Sequence, residues 1–221
     1  MTQSLQPAIG FLGGTFDPIH FGHLRPALEI QESLNLSTLY LMPNYLSPHK
    51  SSTLATAQQR LRMVELATQS TPQLAIDNQE ILQTGPSYTI DTLKRLRAQH
   101  PTTPLCFIMG MDALLQFDKW HQYQEILNYC HLVVSYRPGA APQFNDTVKA
   151  LLAQHQVAEP SHLHDTLCGA IYLQNTTQLA ISSSQIRRLV AAQQRIDFLT
   201  PSAVCNYIQQ QGCYQTLKSD K

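Results

Sequence analysis

Long apolar runs, an excess of charge, paired cysteines and tryptophan are what this sequence has least of. No stretch approaches the roughly 18 consecutive apolar residues that a bilayer-crossing helix needs, so no membrane partner is expected. Fifteen Lys and Arg balance fifteen Asp and Glu, and charged residues make up only 14% of the chain. Without a broad basic field the chain is not built to grip long nucleic acids, and any phosphate it binds must be held locally. Cys106, Cys130, Cys168, Cys205 and Cys213 are odd in number and form no C-x-x-C pair. That argues against a disulfide framework and a thiolate zinc site, and it fits a reducing compartment. The opening "MTQSLQPAIGFLGG" has no basic stretch leading into a long apolar segment, so it does not read as a secretory signal. A cytoplasmic protein is expected.

What is present is enough apolar content for a core, 43% of 221 residues, which suits a single domain over 1–221. Short apolar runs at 8–12, 38–43, 73–77, 104–110, 131–136 and 170–174 alternate with helically spaced stretches at 23–34, 57–69, 88–99 and 112–128. Near-continuous apolar strands separated by helices predict an α/β fold: a doubly wound, Rossmann-like parallel sheet with helices on both faces. Such a sheet gathers its ligands at the carboxyl ends of the strands. The polar, Pro- and Ala-rich region 138–165 reads as a variable insertion with one helix at about 145–155. A C-terminal helical segment over 181–214 follows. Its last helix has Pro201 at the expected first position and Gly212 just past the end.

The densest chemistry lies in "GGTFDPIHFGH", Gly13 to His23, between the first strand and the first helix. Gly13 and Gly14 allow a ligand close to the backbone, and Pro18 fixes one φ in the turn. His20 and His23 are one helical turn apart and can face the same way at a helix start, where unpaired N–H groups favour a phosphate. Thr15 adds a hydroxyl. With no strong nucleophile or general base, the turn suits phosphoryl or nucleotidyl transfer, which depends on positioning and charge stabilisation. The plain alternative is a tight turn with surface histidines and a helix-capping Asp17. Near the other end, "ISSSQIR", Ile181 to Arg187, offers serine hydroxyls at a helix start, with Arg187 one turn on. By itself it is also a serine-capped helix with a solvated Arg187–Arg188 pair.

Together these two stretches resemble the T/H-x-G-H and I-S-S/T-x-x-I-R signatures of the nucleotidyltransferase superfamily. The whole string "GGTFDPIHFGHL" is most similar to the bacterial nicotinate-nucleotide adenylyltransferases. The resemblance implies adenylyl transfer from ATP to nicotinate mononucleotide, giving deamido-NAD and pyrophosphate in NAD biosynthesis. It implies that His20 and His23, with Lys50 and Arg187, act on the ATP phosphates. Gly13, Gly14, Thr15, Phe16, Gly110, Asp112, Ile181, Ser182, Ser183 and Ser184 would complete the ATP site. "MPNYLSPHK" contributes Asn44, His49 and Lys50, and "GPSYTIDTL" contributes Tyr88 and Thr89 to the mononucleotide site. Thr89 doubles as a candidate helix cap. Trp120 would stack on the pyridine, and Arg137 of "YRPG" would stand near the adenine or the acid-binding region.

Mg²⁺ is implied through the triphosphate and not through ligands, since no carboxylate cluster has metal-site spacing. The His162–His164 pair reads as surface. Nicotinamide-mononucleotide or pantetheine-phosphate adenylyl transfer and a catalytically silent nucleotide-binding module are the competing readings. A homo-oligomer stays open.

Overall fold

In the computed structural model, residues 5–45, 53–83, 88–136 and 142–215 are described. They form a parallel sheet of six strands: β1 (Ile9–Gly14), β2 (Thr38–Pro43), β3 (Leu74–Ile76), β4 (Leu105–Gly110), β5 (His131–Tyr136) and β6 (Ile171–Asn175). All six grow from the apolar runs marked in the sequence. Their order is β3-β2-β1-β4-β5-β6, so the winding reverses between β1 and β4. That switch point opens a crevice beyond the carboxyl ends of the two strands. Leu12 and Ile108 are paired side by side in register there, and both line it.

Helices α1 (Phe21–Ser33), α2 (Ala57–Thr68) and α3 (Thr89–Gln99) follow β1, β2 and β3. After β4 come α4 (Met111–Leu114), a 3₁₀ turn (Phe117–Lys119) and α5 (Tyr123–Ile126). α6 (Asp146–His155) and α7 (His162–Asp165) precede β6, and α8 (Ser183–Ala191) and α9 (Ser202–Gln210) close the described fold. Two apolar clusters cover the two faces of the sheet. One holds Ala27, Leu41, Val64, Ile186 and Val204; the other holds Phe11, Leu93, Phe107, Phe117 and Leu132.

Three expectations need correcting. The stretch 112–128 is not one helix. Leu114, Phe117 and Ile126 are fully buried, but Ile126 lies two and a half turns past Phe117 and would fall on the opposite face of one continuous helix. Trp120 is extended (φ −75°, ψ 143°) and Gln122 is left-handed (φ 50°), so the backbone ladder breaks between them. Thr89 is not the cap of α3; Tyr88 holds that place, with no side-chain cap. Pro201 caps α9 instead of opening it. In the 138–165 region, Val148 and Leu163 are buried, and His164 Nε2 lies 2.9 Å from the Leu34 carbonyl oxygen. That histidine ties α7 to α1.

Candidate active site

The turn after β1 is built by partners distant in sequence. Asp17 does not cap a helix. Its carboxylate accepts the Leu54 and Ala55 N–H groups at 3.0 and 3.1 Å. Three consecutive carbonyls in the turn are each taken by a side chain from the last third of the chain. Arg187 Nη1 donates to the Asp17 carbonyl at 2.7 Å, Ser183 Oγ to Pro18 at 2.9 Å, and Thr200 Oγ1 to Ile19 at 2.7 Å. Ser182 caps α8 by accepting the Gln185 N–H at 3.1 Å, and Arg187 Nη2 reaches Ser184 Oγ at 3.1 Å. The two signature stretches are thus one structure, joined through the backbone of the turn.

Gly22 shows how tight the join is. A Cβ there would stand 2.9 Å from the His20 ring and 3.1 Å from the Ile181 carbonyl oxygen. The His20 ring is 4% exposed and stacks on His23 with centroids 3.8 Å apart. Phe16, left-handed at φ 48°, meets His23 edge-on at 5.1 Å. The His20 N–H donates to His23 Nδ1 at 3.3 Å. In its neutral form His23 therefore carries its proton on Nε2 and presents a donor.

Burial pushes the His20 pKa down to about 4, so this ring is neutral at pH 7. An unfolded ring titrates near 6.5, so between these values the unfolded chain binds the extra proton. Stability is therefore fullest above pH 6.5 and falls as pH drops toward 4. NMR titration of the His20 ring should give a midpoint near 4; a midpoint near 6.5 would contradict the burial described.

Two clefts meet at the switch point. The first, of about 580 Å³, is lined by Gly13, Gly14, Thr15, Asn44, Tyr88, Thr89 and Trp120, with Glu80, Lys119 and His121. The second, of about 600 Å³, is lined by Gly22, Pro26, Asp112, Ser135, Tyr136 and Gln178. Leu12, His23, Ile108, Met109 and Gly110 border both. Trp120 lies edge-on to Phe107 at 6.2 Å, and His121 is tilted against Tyr88 at 4.7 Å. The break in the helical stretch is what delivers Trp120 and His121 to the rim.

Sequence and structure diverge on several candidates. Phe16, His20, Ile181, Ser182, Ser183, Ser184 and Arg187 line neither cleft and instead build the turn behind His23. His49, Lys50 and Arg137 lie outside the described residues. Two residues were missed. Arg60 is fully buried and donates to the carbonyls of Thr15 and Asn44 at 2.7 Å each and of Tyr45 at 2.8 Å, tying the ends of β1 and β2 together. Its signal was an arginine on the apolar face of α2, in step with Met63, Val64 and Ala67. Glu80, buried in the wall of the first cleft, accepts from Thr92 Oγ1 on α3. Desolvation raises its pKa. Among the described residues no group of three His, Cys, Asp or Glu stands together as a metal site.

Residues 11–189, from within β1 to within α8 and so across both signature stretches, match the family described as Cytidylyltransferase-like. The chain belongs to that family. Members similar to it include a Psychromonas ingrahamii protein described as "Probable nicotinate-nucleotide adenylyltransferase", 56% identical, the match covering 95% of this chain and 98% of that one. An Aeromonas salmonicida protein of the same description is 47% identical over 96% of this chain and 99% of its own. Among solved structures, the Plasmodium falciparum nicotinic acid mononucleotide adenylyltransferase complexed with NaAD superposes with a TM-score of 0.71 at 18% identity. That superposition covers 95% of this chain and 98% of the other, and it speaks for the family fold.

Proposed function

We propose that this chain transfers the adenylyl group of ATP to nicotinate mononucleotide, forming deamido-NAD and releasing pyrophosphate. The observation that carries the reading is the pair of clefts sharing His23 and Gly110 at the switch point. One cleft has an aromatic rim for a pyridine nucleotide, the other has Asp112 at a strand end for a ribose, and the donor stands between them. Relatives at 56% and 47% identity carry the same activity in their descriptions.

In the transfer a phosphate oxygen of the mononucleotide attacks the α-phosphorus of ATP, and the bond to the β-phosphate breaks as pyrophosphate leaves. His23 Nε2–H donates to the phosphate oxygen on which charge accumulates. His20 sets the tautomer and plane of that ring from behind. Arg187 and Ser183 hold the turn through the carbonyls of Asp17 and Pro18. Lys50 and His49 add cationic contacts from the segment after β2, and Arg137 adds one after β5. Mg²⁺ arrives with ATP as part of the substrate. Four cysteines are buried free thiols, in keeping with a reducing cytoplasm.

Pyrophosphate release from ATP and Mg²⁺ with each acceptor tests the reading. Release with nicotinate mononucleotide, and far less with nicotinamide mononucleotide or pantetheine phosphate, is expected. No release with any acceptor would point to a silent nucleotide-binding module.

Gly110 offers a sharper probe. A Cβ there meets no atom of the described residues within 4 Å, and its backbone (φ −82°, ψ 164°) suits any residue. The described fold therefore does not need this glycine, which lines both clefts. Gly110→Ala should keep its melting temperature while kcat/KM for both substrates falls about tenfold, the scale of one misplaced methyl group in a fitted site. Trp120→Ala should raise the KM for the mononucleotide about tenfold with kcat little changed, as loss of a stacking ring predicts. Steady-state kinetics with each substrate varied in turn checks both.

A further inference from the structure

We propose that Tyr214, beyond α9, is a positioning residue for the transfer: its hydroxyl latches Asp17 and so fixes the turn that presents His23. The proposal rests on the adenylyl-transfer reading of the site and adds to it a residue from outside both signature stretches.

The stop signal that ends α9 delivers this residue. Gly212 is left-handed at φ 62°, its N–H donates to the Gln209 carbonyl at 3.3 Å, and the Cys213 N–H donates to that of Ile208 at 3.0 Å. This pair of bonds reverses the chain after a helix. Tyr214 follows in a left-handed conformation of its own (φ 65°), which a side chain with a Cβ disfavours. What the reversal achieves is a buried ring, 5% exposed, whose hydroxyl donates to Asp17 Oδ1 at 2.7 Å. Burial, and next the Asp17 charge, push the phenol pKa far up, so the hydroxyl stays a donor at any working pH.

Asp17 is the junction of the turn. Its carboxylate gathers Tyr214 and the N–H groups of Leu54 and Ala55, while its carbonyl accepts from Arg187. Three residues on, His20 caps α1 and stacks on His23. Loss of the Tyr214 hydroxyl frees one side of this junction, and the slack passes along the turn to the donor ring. A shift in that ring costs more in the transition state than in the ground state, so it should appear in kcat before KM.

The test is a double-mutant cycle in the full chain with Tyr214→Phe and Asp17→Asn, assayed with ATP, Mg²⁺ and nicotinate mononucleotide. Tyr214→Phe keeps the buried ring and should lower kcat about five- to tenfold while both KM values stay within about twofold. In the Asp17→Asn background the same change should cost less than about twofold, because both act through one contact. A Tyr214→Phe chain that loses melting temperature and keeps its kcat, or effects that multiply in the double variant, overturns the latch. If Tyr214→Phe does not fold, amide exchange on the parent chain decides. Saturating deamido-NAD should slow exchange over residues 208–215 more than over α6, and equal slowing overturns the proposal. A parent chain that releases no pyrophosphate overturns the reading of the site and the latch with it. An active parent matched by Tyr214→Phe overturns the latch alone.

Discussion

Replacing His23 with alanine is expected to lower kcat by a factor of about 10² to 10³, the usual cost of removing one donor aimed at developing charge. The KM for the mononucleotide should change by less than about threefold. The asymmetry follows from position. His23 borders both clefts at the switch point, with its Nδ1 engaged by the His20 N–H at 3.3 Å. Its other nitrogen therefore serves the phosphate in flight, while the pyridine end of the mononucleotide rests against Trp120, Tyr88 and Thr89 in the first cleft. An interaction made mainly in the transition state moves kcat and kcat/KM together. A variant with near-normal turnover would mean the ring is only part of the turn's packing against Phe16 and His20. Single-turnover measurement of pyrophosphate release separates the chemical step from product release.

Arg60→Met is expected to produce the largest loss of stability of any single change near the site. Methionine keeps most of the aliphatic volume in the core but removes the donors that serve three carbonyls, those of Thr15, Asn44 and Tyr45. These bonds are part-buried, so each one lost costs about 1 kcal/mol and the total is roughly 3 kcal/mol. Against typical stabilities of about 5–15 kcal/mol this is a large share. It corresponds to a fall in melting temperature of roughly 6–12 °C for a chain of this size. Activity should fall as well, because the released carbonyls belong to the ends of β1 and β2, which carry Thr15 and Asn44 into the first cleft. A urea midpoint within error of the parent would show that water satisfies these carbonyls and that Arg60 is dispensable.

The sheet was legible because each strand is a short apolar run of a kind that only a doubly covered parallel sheet buries, and the breaks after β1, β2 and β3 each hold one helix. Legibility failed where a short match stood for a long one. Leu114 and Phe117 are three residues apart as on a helix, yet the backbone beyond them is interrupted. Nothing in "KWHQY" shows that Gln122 turns left-handed and that Trp120 and His121 line the first cleft. In the site, the residue types were readable but not their division of labour. His20 and His23 look equivalent on paper. Only the fold shows that one is buried and neutral while the other borders both clefts. Arg187 and Ser183 looked like phosphate ligands, and their bonds in the structure go to the carbonyls of Asp17 and Pro18. Contacts across some 165 or 170 residues of sequence leave no local pattern to read.

The central claim is that one dinucleotide fits across both clefts with its phosphates at His23. A crystal structure of the chain with deamido-NAD bound tests it most directly. The account predicts the pyridine against Trp120, the adenosine on the Asp112 side, and the bridging phosphates over Leu12 and Gly110 within hydrogen-bond reach of His23 Nε2. A dinucleotide held elsewhere, or one whose phosphates lie away from that ring, would contradict it.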